Sequence, residues 1–198
     1  MSAKYDERLD GVLPELALDK VLPLLEAVLP ARAIISSPEA LRPYECDGLS
    51  IYRSTPLVVV LPESKEQVIS VVKLCDVHEI PLVPRGAGTG LSGGALPLRQ
   101  GILLSLARMN QILSIDESLQ MARVQPGVRN LAISEEVKAL GLYYAPDPSS
   151  QIACSIGGNV AENAGGVHCL KYGLTVNNIQ SLECVLADGT LVELGDAC

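Results

Sequence analysis

The sequence predicts a fold that combines α-helices with β-strands, the α+β class, and three observations carry this prediction. A β-branched run at residues 57–61 and a short apolar run at residues 82–83 enclose a segment with helical periodicity. Two further apolar runs flank the polar turn at residues 116–118, which is typical of paired strands. The turn Asp188-Gly189 lies between two more apolar runs and predicts a β-hairpin.

The first fifty residues predict a helical arm with no chemistry of its own. Three leucines recur at helical spacing before a proline that ends the run: Leu22, Leu25, Leu29 and Pro30. Pro23 is expected near the first turn of this helix, a position that tolerates proline. A further helical turn is expected within residues 38–47. We therefore expect residues 1–50 to form an arm and residues 51–198 to form the main domain.

The first predicted strand leads into a helix with a clear start and end. The run at residues 57–61 is apolar throughout and bounded by prolines, so it predicts a buried strand. Ser64 and Gln67 have the spacing of a capping box. The inner face of the helix is formed by Val68, Val71, Val72 and Cys75. Pro81 prevents continuation of the helix, and Leu82-Val83 is expected to be a buried strand.

The rest of the chain is organised around the loop at residues 84–94, Pro-Arg-Gly-Ala-Gly-Thr-Gly-Leu-Ser-Gly-Gly. Its five glycines would lose much conformational entropy if they only joined two strands. Glycine suits a backbone that reaches positive φ or admits a ligand closer than a Cβ allows. Successive N–H groups in such a bend form a concave anion site, and Arg85 is expected to place a positive charge at its entrance. We interpret the loop as a pyrophosphate cradle and therefore as part of a dinucleotide site.

Three other interpretations of this loop fit less well. A flexible linker is disfavoured because Arg85 and Leu91 are not linker residues and predicted strands flank the loop closely. The glycine spacing at residues 88–93 matches the nicotinamide fingerprint, but Pro97 stands where the required helix should run. The phosphate loop of NTPases is excluded because no Lys-Ser/Thr pair follows the glycines.

A pair of strands and a helix are predicted downstream of this loop. The strands are residues 112–115 and 121–124, and Pro126-Gly127 is a turn signal. Asn130 is expected to cap a helix that runs through Leu140, with Gly141 just past its end. The residues expected to face inward are Ile133, Val137 and Leu140.

A second unusual stretch covers residues 146–166. Two prolines around Asp147 fix an extended polar segment that is suited to line a cleft. Ser155 is expected as the N-cap of a short helix, and Gly165 is expected to end it. A bare, glycine-lined helix N-terminus would attract anions through its unpaired N–H groups and its dipole. The alternative is an ordinary short helix between two turns.

Neither histidine receives a chemical role from the sequence. His78 lies near a helix C-terminus, where its charge is favourable, and we interpret it as structural. His168 follows the second glycine pair, where it could face a redox cofactor, but no carboxylate stands at a defined spacing from it. The six cysteines contain no C-x-x-C pair, so no metal site is expected.

The charge balance argues against some classes of partner. With 15 Lys and Arg against 23 Asp and Glu, the formal net charge of −8 disfavours nucleic acid and anionic membrane surfaces. No apolar run approaches the roughly 20 residues of a membrane span, and no signal peptide is visible. The scattered cysteines are typical of reduced thiols in a cytoplasmic protein.

Together, the glycine stretches and their flanks resemble the N-terminal part of the FAD-linked oxidases of the vanillyl-alcohol-oxidase/p-cresol-methylhydroxylase superfamily. Within it the sequence is similar to the D-2-hydroxy-acid dehydrogenase branch, and there to the FAD-binding D subunits of bacterial glycolate oxidases. The segments that carry the resemblance are residues 44–50 (Tyr-Glu-Cys-Asp-Gly-Leu-Ser), 85–94, 124–128 (Val-Gln-Pro-Gly-Val), 146–150 and 154–173. The last of these is highly specific.

The resemblance implies a p-cresol-methylhydroxylase-type (PCMH-type) FAD-binding domain, in which two small α/β subdomains hold FAD between them. In the family the first glycine loop wraps the pyrophosphate, which here implies Arg85, Gly86, Ala87, Gly88, Thr89, Gly90, Ser92, Gly93 and Gly94. The second stretch continues toward the ribityl chain and ring, which implies Pro146, Asp147, Ser155, Gly157, Gly158, Asn159, Asn163, Gly165 and Gly166. Relatives that bond FAD covalently carry His in the first loop where this sequence has Thr89, so non-covalent FAD is implied.

The function implied by the resemblance is that of an FAD-dependent oxidoreductase acting on the CH–OH group of a small 2-hydroxy acid. Glycolate is the first choice of substrate, oxidised to glyoxylate by hydride transfer from its α-carbon to flavin N5. The resemblance also implies sister subunits, one a second flavin-domain protein and one with iron–sulfur clusters. Through these subunits the cytoplasmic chain would lie at the periphery of the inner membrane.

Members of this family are much longer, and their substrate and cap domain carries the catalytic acid and base. We therefore assign no catalytic residue and expect the FAD domain to be incomplete at its C-terminal end, as in a fragment or truncated product. Two alternatives stay open: a non-catalytic FAD-binding or assembly component, and another flavoenzyme of the same fold. The second group includes D-lactate dehydrogenases and cell-wall enolpyruvyl reductases.

Overall fold

A computed structural model describes residues 16–195 and divides them into two compact units. The first unit contains residues 16–85, 90–105 and 183–194, and the second contains residues 86–89, 106–182 and 195. Each unit combines helices with strands, so the predicted α+β class is confirmed.

A four-stranded sheet lies at the centre of the first unit. Its strands are β1 (Ile34–Ile35), β2 (Val58–Val60), β3 (Leu82–Arg85) and β4 (Ile102–Ser105), in the order β1-β2-β4-β3. Strands β2 and β3 pair with β4 in parallel, and β1 pairs with β2 antiparallel. The inner strands β2 and β4 are buried along their whole length, whereas the edge strand β3 is only partly buried. The predicted strand at Leu82-Val83 is confirmed, but it is partly buried where full burial was expected, and its edge position explains why β3 tolerates Pro84.

The helices of the first unit are α1 (Leu18–Glu26), α2 (Pro38–Leu41) and α3 (Lys65–Val77), with 3₁₀ turns at Ala31–Ala33 and Arg42–Tyr44. Helix α1 begins after Ala17, so Pro23 is its sixth residue and not part of the first turn as expected. Ser64 caps α3, since its Oγ accepts the Gln67 N–H at 3.3 Å. The reciprocal bond of a capping box is displaced by one residue, because Gln67 Oε1 accepts the N–H of Glu63 at 2.7 Å.

Part of the predicted N-terminal arm contributes to this sheet and its core. Strand β1 pairs with β2, and Leu41 packs with Val59, Leu61 and Leu103. The two-residue strand β1 was not predicted. The boundary at residue 50 stays a prediction, and the start of the arm lies outside the described residues.

The second unit is built on an antiparallel pair of strands, β5 (Ile112–Asp116) and β6 (Met121–Val124), as predicted. Its helices are α4 (Asn130–Val137), α5 (Ile156–Glu162) and α6 (Cys169–Tyr172), with 3₁₀ turns at Lys138–Leu140 and Thr175–Asn178. The core is formed by Val128, Ile133 and Ile156.

Helix α4 corrects two expectations and confirms one. Its N-cap is Arg129, so Asn130 is the first helical residue and its side chain is buried. Leu140 is 41% exposed and does not face inward. Gly141 follows with φ 73°, the left-handed conformation expected of a residue just past a helix end.

The predicted hairpin is confirmed as β7 (Ser181–Val185) and β8 (Leu191–Gly195). Asp188 Oδ1 accepts the Thr190 N–H at 2.8 Å, and Gly189 has φ 78°, which favours glycine. Among residues 16–195, no helix is long and apolar enough to cross a membrane.

Candidate functional site

Arg85 is the last residue of β3, and its side chain binds main-chain carbonyls. It is only 9% exposed, and its Nη1 donates to the carbonyl oxygens of Cys46 at 2.8 Å and Ala95 at 3.4 Å. Its guanidinium lies 5.9 Å from the centre of the Tyr44 ring. Burial lowers the pKa of Arg85, against the opposing effect of nearby acidic groups. The charge that was expected at the loop entrance is therefore largely buried, where it binds two main-chain segments of the first unit.

The glycines of the first loop include positions with the geometry expected of an anion cradle. Gly88 and Gly93 have φ angles of 71° and 80°, which residues with a Cβ rarely adopt. A Cβ added at Gly90 or Gly93 would meet no atom within 4 Å. These two positions therefore border open space, which leaves room for a ligand to approach the main chain.

The two glycine stretches meet at Ser155, inside the second unit. Ser155 Oγ accepts the N–H of Ala87 at 3.2 Å, and the serine is 5% exposed. A Cβ on Gly86 would collide with this oxygen and lie 3.5 Å from the Gly158 nitrogen. Ser155 occupies the N-cap position of α5, as predicted, but its side chain makes no capping hydrogen bond. The hydroxyl instead fixes the start of the first loop, a role that the sequence did not reveal.

A cleft of about 410 Å³ opens at this junction within the second unit. Its walls consist mainly of small side chains and glycine backbone, contributed by Gly86, Ala87, Ala107, Gly127, Ala132, Ala153 and Ser155. Its volume falls within the range of a few hundred to about 1,000 Å³ typical of small-molecule sites. The cleft thus provides a binding space directly beside the residues that join the two stretches.

The N-terminus of α5 is not bare, contrary to expectation. The N–H groups of Ile156 and Gly157 donate to the carbonyls of Val128 and Pro126, both at 2.8 Å. A Cβ at Gly157 would lie 2.8 Å from the Pro126 Cβ, so this glycine permits close packing of the chain on itself. Two of the N–H groups that were expected to bind an anion are therefore already paired.

Helix α5 ends two residues earlier than expected. Asn163, not Gly165, has the left-handed conformation, with φ 48°. Asparagine tolerates this conformation, and the Asn163 Oδ1 accepts the Val176 N–H at 3.1 Å.

Buried amide groups connect α4, α5 and the proline-flanked segment. Asn130 Nδ2 donates to the Pro146 carbonyl at 2.9 Å, and Asn159 Nδ2 donates to Asn130 Oδ1 at 2.8 Å. Both asparagines are almost fully buried, so these bonds are shielded from water. Asn159 was predicted to touch the cofactor, and here it positions Asn130.

His168 has the carboxylate partner that the sequence did not reveal. Its Nδ1 lies 2.5 Å from Asp147 Oδ2, and its backbone N–H donates to Asp147 Oδ1 at 3.2 Å. Burial raises the pKa of Asp147, but the hydrogen bonds from His168 outweigh it, so this pKa lies below its ordinary value. The two residues are 21 positions apart, and only the folded turn between them brings them together.

The structure thus groups part of the predicted site. Gly86, Ala87 and Ser155 line the cleft, Gly158 lies next to Gly86, and Asp147 lies against Gly166. Contact with the cofactor stays a prediction for every residue of the predicted site. The structural contacts of Asn130 and His168 were not predicted. The signals that could have pointed to them are an asparagine directly after a turn and a histidine beside glycines.

Within residues 16–195, no group of three or more His, Cys, Asp or Glu side chains could hold a metal ion.

Residues 56–195 match the family described as FAD binding domain. The chain belongs to this family. FAD is accordingly its cofactor. In the first unit the open space at Gly90 and Gly93, and in the second unit the cleft beside Gly86 and Ser155, each fit part of a ligand of that kind.

Two curated proteins are similar to this chain over nearly its whole length. It is 59% identical over 195 residues to glycolate oxidase subunit GlcD of Escherichia coli K12, covering 98% of this chain and 39% of that protein. It is 37% identical over 188 residues to D-lactate dehydrogenase of Anaerostipes hadrus, covering 92% and 39%. The chain therefore spans about two fifths of the length of these relatives.

Solved structures confirm the PCMH-type fold. An alkyldihydroxyacetonephosphate synthase superposes with a TM-score of 0.82 at 22% identity, over 92% of this chain and 36% of that one. A p-cresol methylhydroxylase with bound substrate superposes with a TM-score of 0.76 at 27% identity, over 88% and 35%. The superfamily that the sequence resembles is thereby confirmed.

Proposed function

We propose that the chain is the FAD-binding part of a flavin-dependent 2-hydroxy-acid dehydrogenase whose substrate is glycolate. The observation that carries this proposal is the 59% identity to glycolate oxidase subunit GlcD over 98% of the chain. The arrangement at Ser155 supports it, because it brings both glycine stretches to one cleft.

The residues of this chain bind and orient the cofactor in this proposal. Main-chain N–H groups of residues 86–94 other than that of Ala87 donate to the pyrophosphate, while Ser155 accepts the Ala87 N–H and Arg85 binds the Cys46 and Ala95 carbonyls. FAD supplies the redox chemistry, since it accepts the hydride that leaves the substrate α-carbon. Thr89 stands where covalently flavinylated relatives carry histidine, so the cofactor is held without a covalent bond.

Acid precipitation of the FAD-loaded chain tests the mode of attachment. We expect the yellow cofactor to remain in the supernatant and the precipitated protein to be colourless. Flavin that stays with the precipitate through repeated washing would contradict non-covalent binding.

A chimera tests whether the chain can serve as the FAD-binding part of a glycolate oxidase. In it, this chain replaces the matching 195 residues of E. coli GlcD, and glycolate-dependent dye reduction is measured. We expect the chimera to bind FAD and to reduce the dye with glycolate, while a control chimera carrying Gly86→Trp has lost both properties. A chimera that binds FAD but remains inactive would favour a non-catalytic FAD-binding or assembly component.

A D-lactate dehydrogenase is the second candidate, favoured by the 37% identity over 188 residues to the enzyme of A. hadrus. A parallel chimera in that enzyme distinguishes the two. If only the D-lactate dehydrogenase chimera is active, the chain belongs to a D-lactate enzyme.

We further propose that the chain works in the cytoplasm within a multi-subunit glycolate oxidase, since its relative GlcD is described as a subunit. Its partners would be a second flavin-domain subunit and an iron–sulfur subunit, which would hold it at the inner membrane. Co-purification of a tagged chain with such subunits tests this, and a chain that purifies alone from its native host would contradict it.

A further inference from the structure

Asp147 and His168 close one segment of the second unit onto another. The carboxylate of Asp147 accepts hydrogen bonds from both the backbone and the ring of His168, with the ring Nδ1 only 2.5 Å away. The Asp147 side chain is 16% exposed, whereas the His168 side chain is 60% exposed. The carboxylate is thus held between the chain segments, with the imidazole covering it from the solvent side.

The turn that joins α5 to His168 depends on this closure. A Cβ on Gly166 would collide with the carboxylate and the carbonyl of Asp147, so the turn lies directly on the proline-flanked segment. Its other end is anchored, because the Ala164 carbonyl accepts both the N–H and the hydroxyl of Thr175. The Pro146 carbonyl is also fixed, through the buried side chain of Asn130. The Asp147–His168 contact is therefore a side-chain tie between two anchored pieces.

We propose that Asp147 and His168 form a positioning latch that sets the second glycine stretch against FAD, an inference that rests on the proposed role of residues 155–166 in cofactor binding. The latch acts through geometry, because neither residue needs to touch the cofactor. Without the ring bond, the turn at Gly166 is held to Asp147 through the His168 backbone N–H and is therefore less firmly held, so the main chain next to the cofactor is positioned less precisely.

The latch requires that the Nδ1 nitrogen of the His168 ring carries a proton. An ionised carboxylate can only accept hydrogen bonds, so Nδ1 of His168 must carry a proton. The neutral ring is therefore held in the Nδ1–H tautomer, which is the minor form of free histidine. Tyr172 stands 6.5 Å from the ring, centre to centre, and Lys171 lies over the Tyr172 ring, so neither replaces the carboxylate as the partner of Nδ1.

Two substitutions of His168 separate the latch from a merely structural role. In His168→Asn the side-chain amide places a donor where Nδ1 stands, so it can still reach Asp147, while His168→Leu removes the donor and keeps the bulk. We expect His168→Leu to weaken FAD binding about fivefold, as for loss of one partly exposed hydrogen bond to a carboxylate, and His168→Asn to remain within about twofold of the unaltered chain. His78→Leu is the matched control and should leave FAD affinity unchanged.

The tautomer is read independently of FAD by ¹⁵N NMR of the imidazoles. The chain has two histidines, so His78→Leu assigns the signals. We expect His168 to show the Nδ1–H pattern and Asp147→Asn to abolish that preference. The latch is overturned if His168 shows the ordinary Nε2–H pattern, or if His168→Leu binds FAD as tightly as the unaltered chain. If the unaltered chain shows the Nδ1–H pattern but binds no FAD, the proposed cofactor role of residues 155–166 fails together with the latch's purpose.

Discussion

Gly86→Ala tests the closest approach between the two glycine stretches. The added methyl group would collide with Ser155 Oγ, which is buried and cannot turn away without losing the Ala87 N–H. Overpacking of this kind costs about 1–3 kcal/mol, and loss of the hydrogen bond adds about 1 kcal/mol. We therefore expect Gly86→Ala to lower the free energy of unfolding by about 2–4 kcal/mol.

Ser155→Ala removes the oxygen that causes the collision. Alone it leaves the Ala87 N–H without its acceptor and should cost about 1–2 kcal/mol. In the double variant the next neighbours of the new Cβ are the Gly158 nitrogen at 3.5 Å and Cα at 3.6 Å, which are ordinary contacts. Gly86→Ala should then cost less than about 0.5 kcal/mol when Ser155 is already alanine.

Urea unfolding of the four proteins, followed by circular dichroism, measures this coupling. Gly90→Ala is the matched control, because a Cβ there meets nothing within 4 Å, and it should change stability by less than about 0.5 kcal/mol. The account of Ser155 would be refuted if Gly86→Ala were equally costly with serine or alanine at position 155.

Three further predictions concern the cofactor, a thiol and pH. Gly90→Val should leave the free energy of unfolding unchanged but weaken FAD binding at least about tenfold, because the valine side chain enters the space left for the ligand. A fluorescence titration measures the affinity, and an unchanged affinity would contradict a ligand cradle at Gly90. Cys75 should resist a thiol reagent at pH 8 until the chain is unfolded, because burial raises its pKa to about 12, and modification of Cys75 in the folded chain would contradict this. The lowered pKa of Asp147 means that its stabilising effect is present above its unfolded pKa of about 3.9 and is lost as pH falls through the lower folded value. Between pH 5 and pH 2, Asp147→Asn should therefore show a shallower loss of stability than the unaltered chain, and identical slopes would contradict the assignment.

Local signals in the sequence predicted the elements that depend on neighbouring residues. The cap at Ser64, the turn at Asp188-Gly189 and the left-handed Gly141 each satisfy backbone groups within a few positions, so the residue types alone reveal them. The succession of strand, helix and strand before the first loop followed from apolar runs for the same reason. The two-residue strand β1 escaped prediction because it is defined by its pairing with β2, which joins Ile34 to Val60 and Ile35 to Val59.

The site was predicted in outline but not in its contacts. The glycine content singled out both stretches as places where the main chain approaches another group closely. It could not show which glycines border open space and which pack against the chain's own atoms. The partner of Ser155 is 68 positions away and that of Asp147 is 21 away, so neither bond leaves a local pattern. Arg85 was expected at the loop entrance because charge is normally solvated, but its donors are used by main-chain carbonyls.

The central claim, that the main chain of residues 86–94 holds the diphosphate of FAD, is tested most directly by amide NMR of the ¹⁵N-labelled chain. FAD and ADP both carry a diphosphate, whereas FMN carries a single phosphate. We expect FAD and ADP to shift the N–H signals of residues 86–94 more than any others, and FMN to shift them far less. Saturable FAD binding that leaves those signals in place would contradict the claim.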